Sequence, residues 1–580
     1  MGADNCIGRE IVCPVVSEEH PRPRPGPRPQ GTNPSPEQLA DQTIDRRKIL
    51  LGLGFGAAAA GGVSMLEPGG TTILDGLQRI QDAAAVDAAG ATEVALPDDP
   101  PPTTTTTTTT PVADEFDPPV LDRSFALQEG QAAAFALVGG RIIDPETGFD
   151  RPGNVGLLNG KIVAISEETI LADETIDVTG QVISPGFIDM LSYAPNGYGE
   201  WFKIADGVTT NLGMHGLQFE PTPFHDRWTN EGVPINFGGA AHNTFVRTRL
   251  EVNPFATAEN GKVNNIVDEI ETQIRNGYLG VSVHPEYAPG VSQLELTELG
   301  RTVERLRVPM CVHARFSDNL SPGLQSEATG ELVQVARRTG AHVHIEHLNS
   351  TGGTGRMEEA LGEIEDAIAE GLSMSSCMYP YEFWATTLKS NRFQDWQEKF
   401  GLNFEDLQVA GQPDRLTEAT FDQAYDENLL TAAFAIPPGD IDLGLQASFM
   451  MLGSDAILER PHNNHPRSTG CFARALGVYT RERNIIDLPT ALAMMTIRPA
   501  NLVERSSPAM QSKGRMQIGA DADVTVFDPA TIIDRSTIDN PAQESIGVNF
   551  VFVDGVPIRR NGANDLEIGR PGKAIQSEII

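Results

Sequence analysis

LGVSVHPEY (residues 279–287), PMCVHARF (309–316) and AHVHIEHL (341–348) are three short, largely apolar runs that each close on ionisable side chains. Helical patterns separate them, around Leu294 to Leu306 and around Glu327 to Arg338. Ahead of the first run, Val263, Ile266, Val267, Ile270 and Ile274 recur at helical spacing, and Gly277 sits where such a helix would stop. After the third, a helix around Met357 to Glu370 precedes LSMSSCMYPY (372–381), with LLTAAFAI (429–436) and SFMMLGSDA (448–456) as the final strands. Strands that alternate with helices in this way build a parallel sheet. The reading is an α/β fold, a (β/α)8 TIM-type barrel over residues 186–505. Barrels of this kind carry chemistry at the C-terminal ends of their strands, where His215, His313, His347, Tyr379 and Asp455 fall.

The flanks of the barrel follow a different pattern. FALVGGRIIDPETG (135–148), NVGLLNGKIVAIS (154–166) and ETIDVTGQVISPGFID (174–189) are β-branched runs broken by glycine and proline, and GRMQIGADADVTVFD (514–528) and GVNFVFVDGVPIRRNG (547–562) repeat that pattern. Residues 131–185 and 506–565 are therefore expected to form one small β-sandwich domain from both sides of the barrel. Residues 388–428 exceed an ordinary connection and are expected to be a lid or insertion.

Upstream, TIDRRKILL (43–51) sets Arg46 and Arg47 just before the uncharged run ILLGLGFGAAAAGGVSM (49–65). The stretch 43–65 resembles a twin-arginine export signal, which implies an exported protein that meets the export machinery and a possible membrane anchor. Proline dominates residues 1–42, and PDDPPPTTTTTTTTPVADEFDPP (97–119) lies within 66–130. Neither composition can bury enough apolar surface to fold, so both are expected to be disordered. Across the chain 79 acidic residues face 43 basic ones, a formal charge of -36, which argues against nucleic acid as a partner. The five cysteines show no paired spacing, which excludes a cysteine zinc cluster and a disulfide framework.

GGRIIDP (139–145), PGFID (185–189), GVTT (207–210) and GADADVTVFDP (519–529) together resemble the amidohydrolase superfamily. GVSVHPEYAPG (280–290), VHARF (312–316), IEHLNSTG (345–352), MYPY (378–381), GSDA (453–456) and HPRSTGCFARALGVYTRE (465–482) resemble its D-aminoacylase branch, the N-acyl-D-amino-acid deacylases. The resemblance implies a small-molecule amide substrate, a zinc cofactor and attack on the amide carbonyl by a metal-bound hydroxide. Asp455 matches the aspartate that orients the hydroxide and shuttles its proton. His347 matches the strand-five metal histidine, although strict strand alternation puts Glu346 on the histidine face and makes it the alternative ligand. Arg315 and Arg467 are the candidates for a substrate carboxylate, since guanidinium groups bind carboxylates bidentately. His313, Tyr287, Tyr379 and His242 are expected to line the pocket.

Three departures from the family pattern bear on the metal. After PGFID the superfamily places H-x-H, whereas this chain has Leu191 and Tyr193, so one metal subsite has lost its usual ligands. Where the D-aminoacylases carry a metal-binding cysteine after GVTT, this chain has His215. Tyr379 stands where the strand-six histidine is expected. His215, His347 and Asp455 remain as a three-ligand set for one zinc ion, with one position open for water. Alternative readings are a catalytically degenerate binding protein on the same fold, or a hydrolase of cyclic amides or esters.

Overall fold

The computed structural model describes residues 116–320, 322–460 and 465–579. The Arg46-Arg47 signal and most of the threonine-rich stretch lie outside the described residues. No described helix is long and apolar enough to cross a membrane.

The central element is an eight-stranded parallel sheet. Its strands, in order, are Phe187–Asp189, Val208–Leu217, Asn236–His242, Val281–Val283, Met310–Val312, Val343–Ile345, Met374–Met378 and Met450–Leu452. Helices Asn260–Arg275, Gln293–Leu306, Pro322–Thr339 and Met357–Ala369 occupy the connections where the periodicity predicts them. Val281, Val283, Met310, Val312, Val343 and Ile345 share one apolar cluster with helix residues such as Ile266, Leu299 and Val335. Alternation then turns Ser282, Cys311 and His344 to the inside of the barrel. The first and eighth strands meet where the Asp455 amide donates to the Leu191 carbonyl at 2.6 Å. The approach is close enough that a Cβ on Gly453 would lie 2.5 Å from the Leu191 Cβ, so glycine is required there.

A nine-stranded sheet joins the two flanks of the barrel. Val524–Phe527 pairs antiparallel with Val182–Pro185, bringing the C-terminal half of the sheet against the N-terminal half. Leu137, Ile142, Val155 and Ile183 from the first flank pack with Val524, Val526 and Phe552 from the second in one cluster.

The structure corrects the strand count. LLTAAFAI is not a barrel strand: Leu430–Ala433 pairs antiparallel with Trp384–Thr387 and with Leu407–Val409 in a separate three-stranded sheet. Strand propensity fixes an extended backbone but not its partner. Without that segment in the count, His313 follows the fifth barrel strand, His347 the sixth and Tyr379 the seventh. His347 is thus a strand-six residue, and Tyr379 does not replace the strand-six histidine. The small sheet belongs to an insertion running from Trp384 to Ala433, with helices Trp396–Phe400 and Glu418–Asp426 inside it.

Candidate active site and metal centre

The strand ends form the floor of a cavity of about 370 Å³, and the insertion supplies part of its wall through Trp384, Thr386 and Arg392. Tyr193, His215, His242, His284, Tyr287, His313, His347, Tyr379, Asp455 and Arg467 all line it, with each barrel strand contributing at or near its end. Of the residues expected from sequence, Arg315 alone is directed elsewhere. Its guanidinium binds the Glu331 carboxylate at 2.9 Å and the Pro289 and Val291 carbonyls, a structural ion pair and not a substrate contact.

Asp455 stands at the junction of the first and eighth strands, and the surrounding contacts fix its position. Its backbone is left-handed, φ 48°, a conformation that only strong surrounding structure sustains in a non-glycine residue. One residue earlier, the Ser454 amide donates to Asp189 Oδ1 at 3.0 Å and the Ser454 hydroxyl to Asp189 Oδ2 at 2.6 Å. Lys203 Nζ closes that cluster, 2.5 Å from Asp189 and 2.6 Å from Ser454 Oγ. The Asp455 carboxylate meets Arg467 Nη2 at 2.9 Å, the Tyr193 hydroxyl at 3.3 Å and His347 Nε2 at 3.8 Å. Burial alone would raise its pKa, but Arg467 and the neighbouring histidines outweigh burial and hold it well below the usual carboxylate range. Asp455 is therefore an ionised acceptor throughout the physiological range.

His347 also has a left-handed backbone, φ 30° and ψ 61°. This turn at the strand end breaks the alternation that would otherwise send Glu346 and His347 to opposite faces. Both reach the same cluster. Glu346 Oε2 lies 2.5 Å from His215 Nδ1, and its Oε1 accepts from the Ser282 hydroxyl at 2.7 Å. Burial disfavours a charged His215, yet the Glu346 and Asp455 carboxylates overcome it and push its pKa up to about 9. By contrast, burial and neighbouring histidines push His284 and His347 well below the usual range, and His242 down to about 3, so these rings are neutral.

The hydrogen bonds assign ring nitrogens to roles. Glu286 Oε2 takes His313 Nε2 at 2.6 Å, and a carboxylate can only accept. The other nitrogen of His313, Nδ1, faces His347 Nε2 at 3.1 Å. Two nitrogens bound to one tetrahedral zinc lie about 3.3 Å apart, given Zn–N bonds of about 2.05 Å. Ser350 holds the other His347 nitrogen at 3.1 Å. Orientation of one ring nitrogen by an outer hydrogen bond is the usual support for a metal-binding imidazole. Three overlapping sets place one ligand atom per residue within 4.8 Å of one another: His215, His347 and Asp455; His313, Glu346 and His347; and His215, His284 and Glu346. This donor chemistry fits a divalent transition metal. Leu191, by contrast, is fully buried among Met190, Leu212 and Met214, where it offers nothing to the pocket. His342 and His344 bind Ser373 and Ser375 and are structural.

His284, Glu286 and Arg392 were not singled out by the sequence reading. His284 directly follows the fourth strand, so its position after Val283 was the available signal. Arg392 carried none, because an insertion has no periodicity that points at the barrel mouth. Its guanidinium is buried over Trp384 at 4.1 Å and lies 3.5 Å from Glu286, with Nε unpartnered among the described residues.

Residues 449–559 match the Amidohydrolase family. An N-acyl-D-glutamate deacylase of Alcaligenes xylosoxydans xylosoxydans is 27% identical over 73% of this chain and 93% of its own length. A D-aminoacylase of the same organism is 26% identical over 74% of this chain and 95% of its own length. Among solved structures, N-acyl-D-glutamate deacylase from Bordetella bronchiseptica, complexed with zinc and a phosphonate inhibitor, superposes with a TM-score of 0.68. That match has 24% identity and covers 77% of this chain and 100% of the other. In its barrel and split sheet the chain shares the fold of these amidohydrolases. Over about three quarters of its length the chain is similar to the D-aminoacylase branch, whose members are hydrolases that act on carbon–nitrogen bonds other than peptide bonds.

Proposed function

We propose that the protein hydrolyses the amide bond of an N-acyl amino acid, with a divalent transition metal, zinc by its donor set, at the strand-end cluster. The observation that carries the reading is Asp455, an ionised and rigidly positioned carboxylate between His347 and His215 at the floor of the cavity. A metal bound there would supply Lewis-acid polarisation of the carbonyl and a more acidic water. Asp455 accepts the proton of the attacking water and returns it to the leaving amine. Arg467 orients Asp455 through Nη2, while its Nε and Nη1 find no partner among the described residues and are free for a substrate carboxylate. Arg392 adds a second guanidinium to the wall and favours an acidic side chain on the substrate, the class named for the deacylases of N-acyl-D-glutamate and N-acyl-D-aspartate.

The test is metal analysis of the purified protein, followed by turnover of N-acyl D- and L-amino acids before and after chelation. Asp455→Asn should lower turnover by about 10²–10⁴-fold, the usual contribution of a proton-transfer group. Ligand binding without turnover in the metal-loaded protein would instead support a catalytically silent relative, a reading favoured by Leu191 and Tyr193 at the altered first strand.

Export through a twin-arginine-type signal is part of the proposal, supported by Arg46 and Arg47 before an uncharged run. Replacing both arginines with lysine should leave the protein in the cytoplasm, as followed by cell fractionation. Unchanged export would exclude that route.

A further inference from the structure

Tyr193 follows the first barrel strand, at a place where the sequence reading counts a lost metal ligand. Its side chain lines the cavity, and its hydroxyl lies 3.3 Å from Asp455 Oδ1. We propose that Tyr193 is a positioning residue, whose phenol donates to Asp455 Oδ1 and holds the carboxylate in the orientation that receives the proton of the attacking water. This inference rests on the hydrolytic reading above and adds a residue to it.

Each oxygen of Asp455 has its own neighbours. Oδ2 meets Arg467 Nη2 at 2.9 Å and His347 Nε2 at 3.8 Å, whereas Oδ1 has the Tyr193 hydroxyl at 3.3 Å and His215 Nδ1 at 4.0 Å. His215 Nδ1 is already committed to Glu346 Oε2 at 2.5 Å, which leaves the phenol as the hydrogen-bond partner of Oδ1 among the described residues. The last torsion of an aspartate is broad, without sharp staggered wells, so a contact on one oxygen leaves the plane of the carboxylate free to turn. A contact on the other oxygen stops that rotation. Chemistry sets the direction of the bond: an ionised carboxylate can only accept, and a phenol of ordinary pKa, about 10, carries its proton at neutral pH. At 3.3 Å the contact is longer than a fully formed O–H···O bond, as catalytic hydrogen bonds often are before the substrate arrives. The backbone on which the phenol stands is itself tied down. The Tyr193 carbonyl accepts from Asn211 Nδ2 at 2.9 Å, and the Ser192 amide donates to the Leu212 carbonyl at 3.0 Å. The Ser192 hydroxyl donates to the Ala456 carbonyl at 3.1 Å, beside the bond from the Asp455 amide to the Leu191 carbonyl, so phenol and carboxylate share one frame.

The experiment pairs Tyr193→Phe, which keeps the ring and removes the hydroxyl, with Asp455→Asn in a double-mutant cycle on the full-length protein. It is followed by turnover of the best substrate among N-acyl D- and L-amino acids. Tyr193→Phe alone should lower kcat by about 10–100-fold, the range for a hydrogen bond to a charged group, with KM within about twofold. In the Asp455→Asn background the same change should cost less than about twofold, because the carboxylate it served is gone. An equal loss in both backgrounds would overturn the proposal, since the phenol then acts without Asp455. So would a Tyr193→Phe protein with the wild-type kcat. A second readout needs neither turnover nor metal: 3-fluorotyrosine placed at position 193 alone, whose fluorine resonance in the metal-depleted protein should move on Asp455→Asn. An unmoved resonance overturns the contact, also where Tyr193→Phe fails to fold. A wild type that turns over no N-acyl amino acid would remove the hydrolytic reading, and the resonance alone then decides whether Tyr193 holds Asp455.

Discussion

Replacing Lys203 by methionine keeps the length of the side chain but removes the cation that meets Asp189. Both groups are almost fully buried, with side-chain exposures of 1% and 0%, and their atoms lie 2.5 Å apart. Removing one partner of such a pair leaves an uncompensated charge in the interior and costs about 3–5 kcal/mol. For a domain this large the melting temperature should fall by roughly 3–5 °C. Asp189 also grips the amide and hydroxyl of Ser454, the residue before Asp455, so the damage should reach the proton acceptor. A misplacement on the order of 1 Å in a reacting group lowers turnover about 100-fold, and the loss should appear in kcat more than in KM. The double variant Asp189→Asn/Lys203→Met should recover most of the stability, because the stranded anion is gone. Chemical denaturation and steady-state kinetics on the two variants and the wild type are the assays. A Lys203→Met protein within 1 kcal/mol of wild type, with unchanged kcat, would refute the view that this ion pair positions Asp455.

Glu200 lies buried in the first turn of helix Gly199–Ala205, and neither of its oxygens has a partner among the described residues. Burial, aided by repulsion from Glu231 and opposed by Arg570, pushes its carboxyl up to about 8. The fold favours the neutral acid, so no penalty exists below the unfolded value of about 4.5. Stability is then lost as pH rises to about 8, by up to the order of 5 kcal/mol. Glu200→Gln should be more stable than wild type at pH 9 and about equal at pH 4.5, and an equal difference at both pH values would contradict the assignment. Arg315→Ala should leave KM within about twofold while lowering stability, because Arg315 binds Glu331 and not the cavity; a tenfold rise in KM would return it to the site. Arg392→Met should raise KM for N-acyl substrates with acidic side chains at least about tenfold and spare neutral ones, since a charge-assisted contact contributes roughly 1.5–3 kcal/mol. Equal effects on both substrate classes would remove Arg392 from specificity.

Local periodicity was enough to recognise the barrel and the two-part sheet. Helical spacing such as Val263, Ile266, Ile270 and Ile274, and strands such as Val281–Val283, are dictated by neighbours a few residues away. The same rule placed His215, His313, His347, Tyr379 and Asp455 at strand ends, and hence at one mouth. What the chain does not carry locally is partnership. LLTAAFAI has the pattern of a barrel strand, but its hydrogen bonds go to Trp384–Thr387 and Leu407–Val409. Glu346 and His347 reach one cluster because of a left-handed backbone that alternation does not foresee. Arg315 and Arg467 are both candidates for a substrate carboxylate until Glu331 claims the first, while the second stays in the cavity beside Asp455. Such choices are settled by tertiary packing, which brings Glu346 to His215 across 131 positions and leaves each buried charge to the partner it meets there.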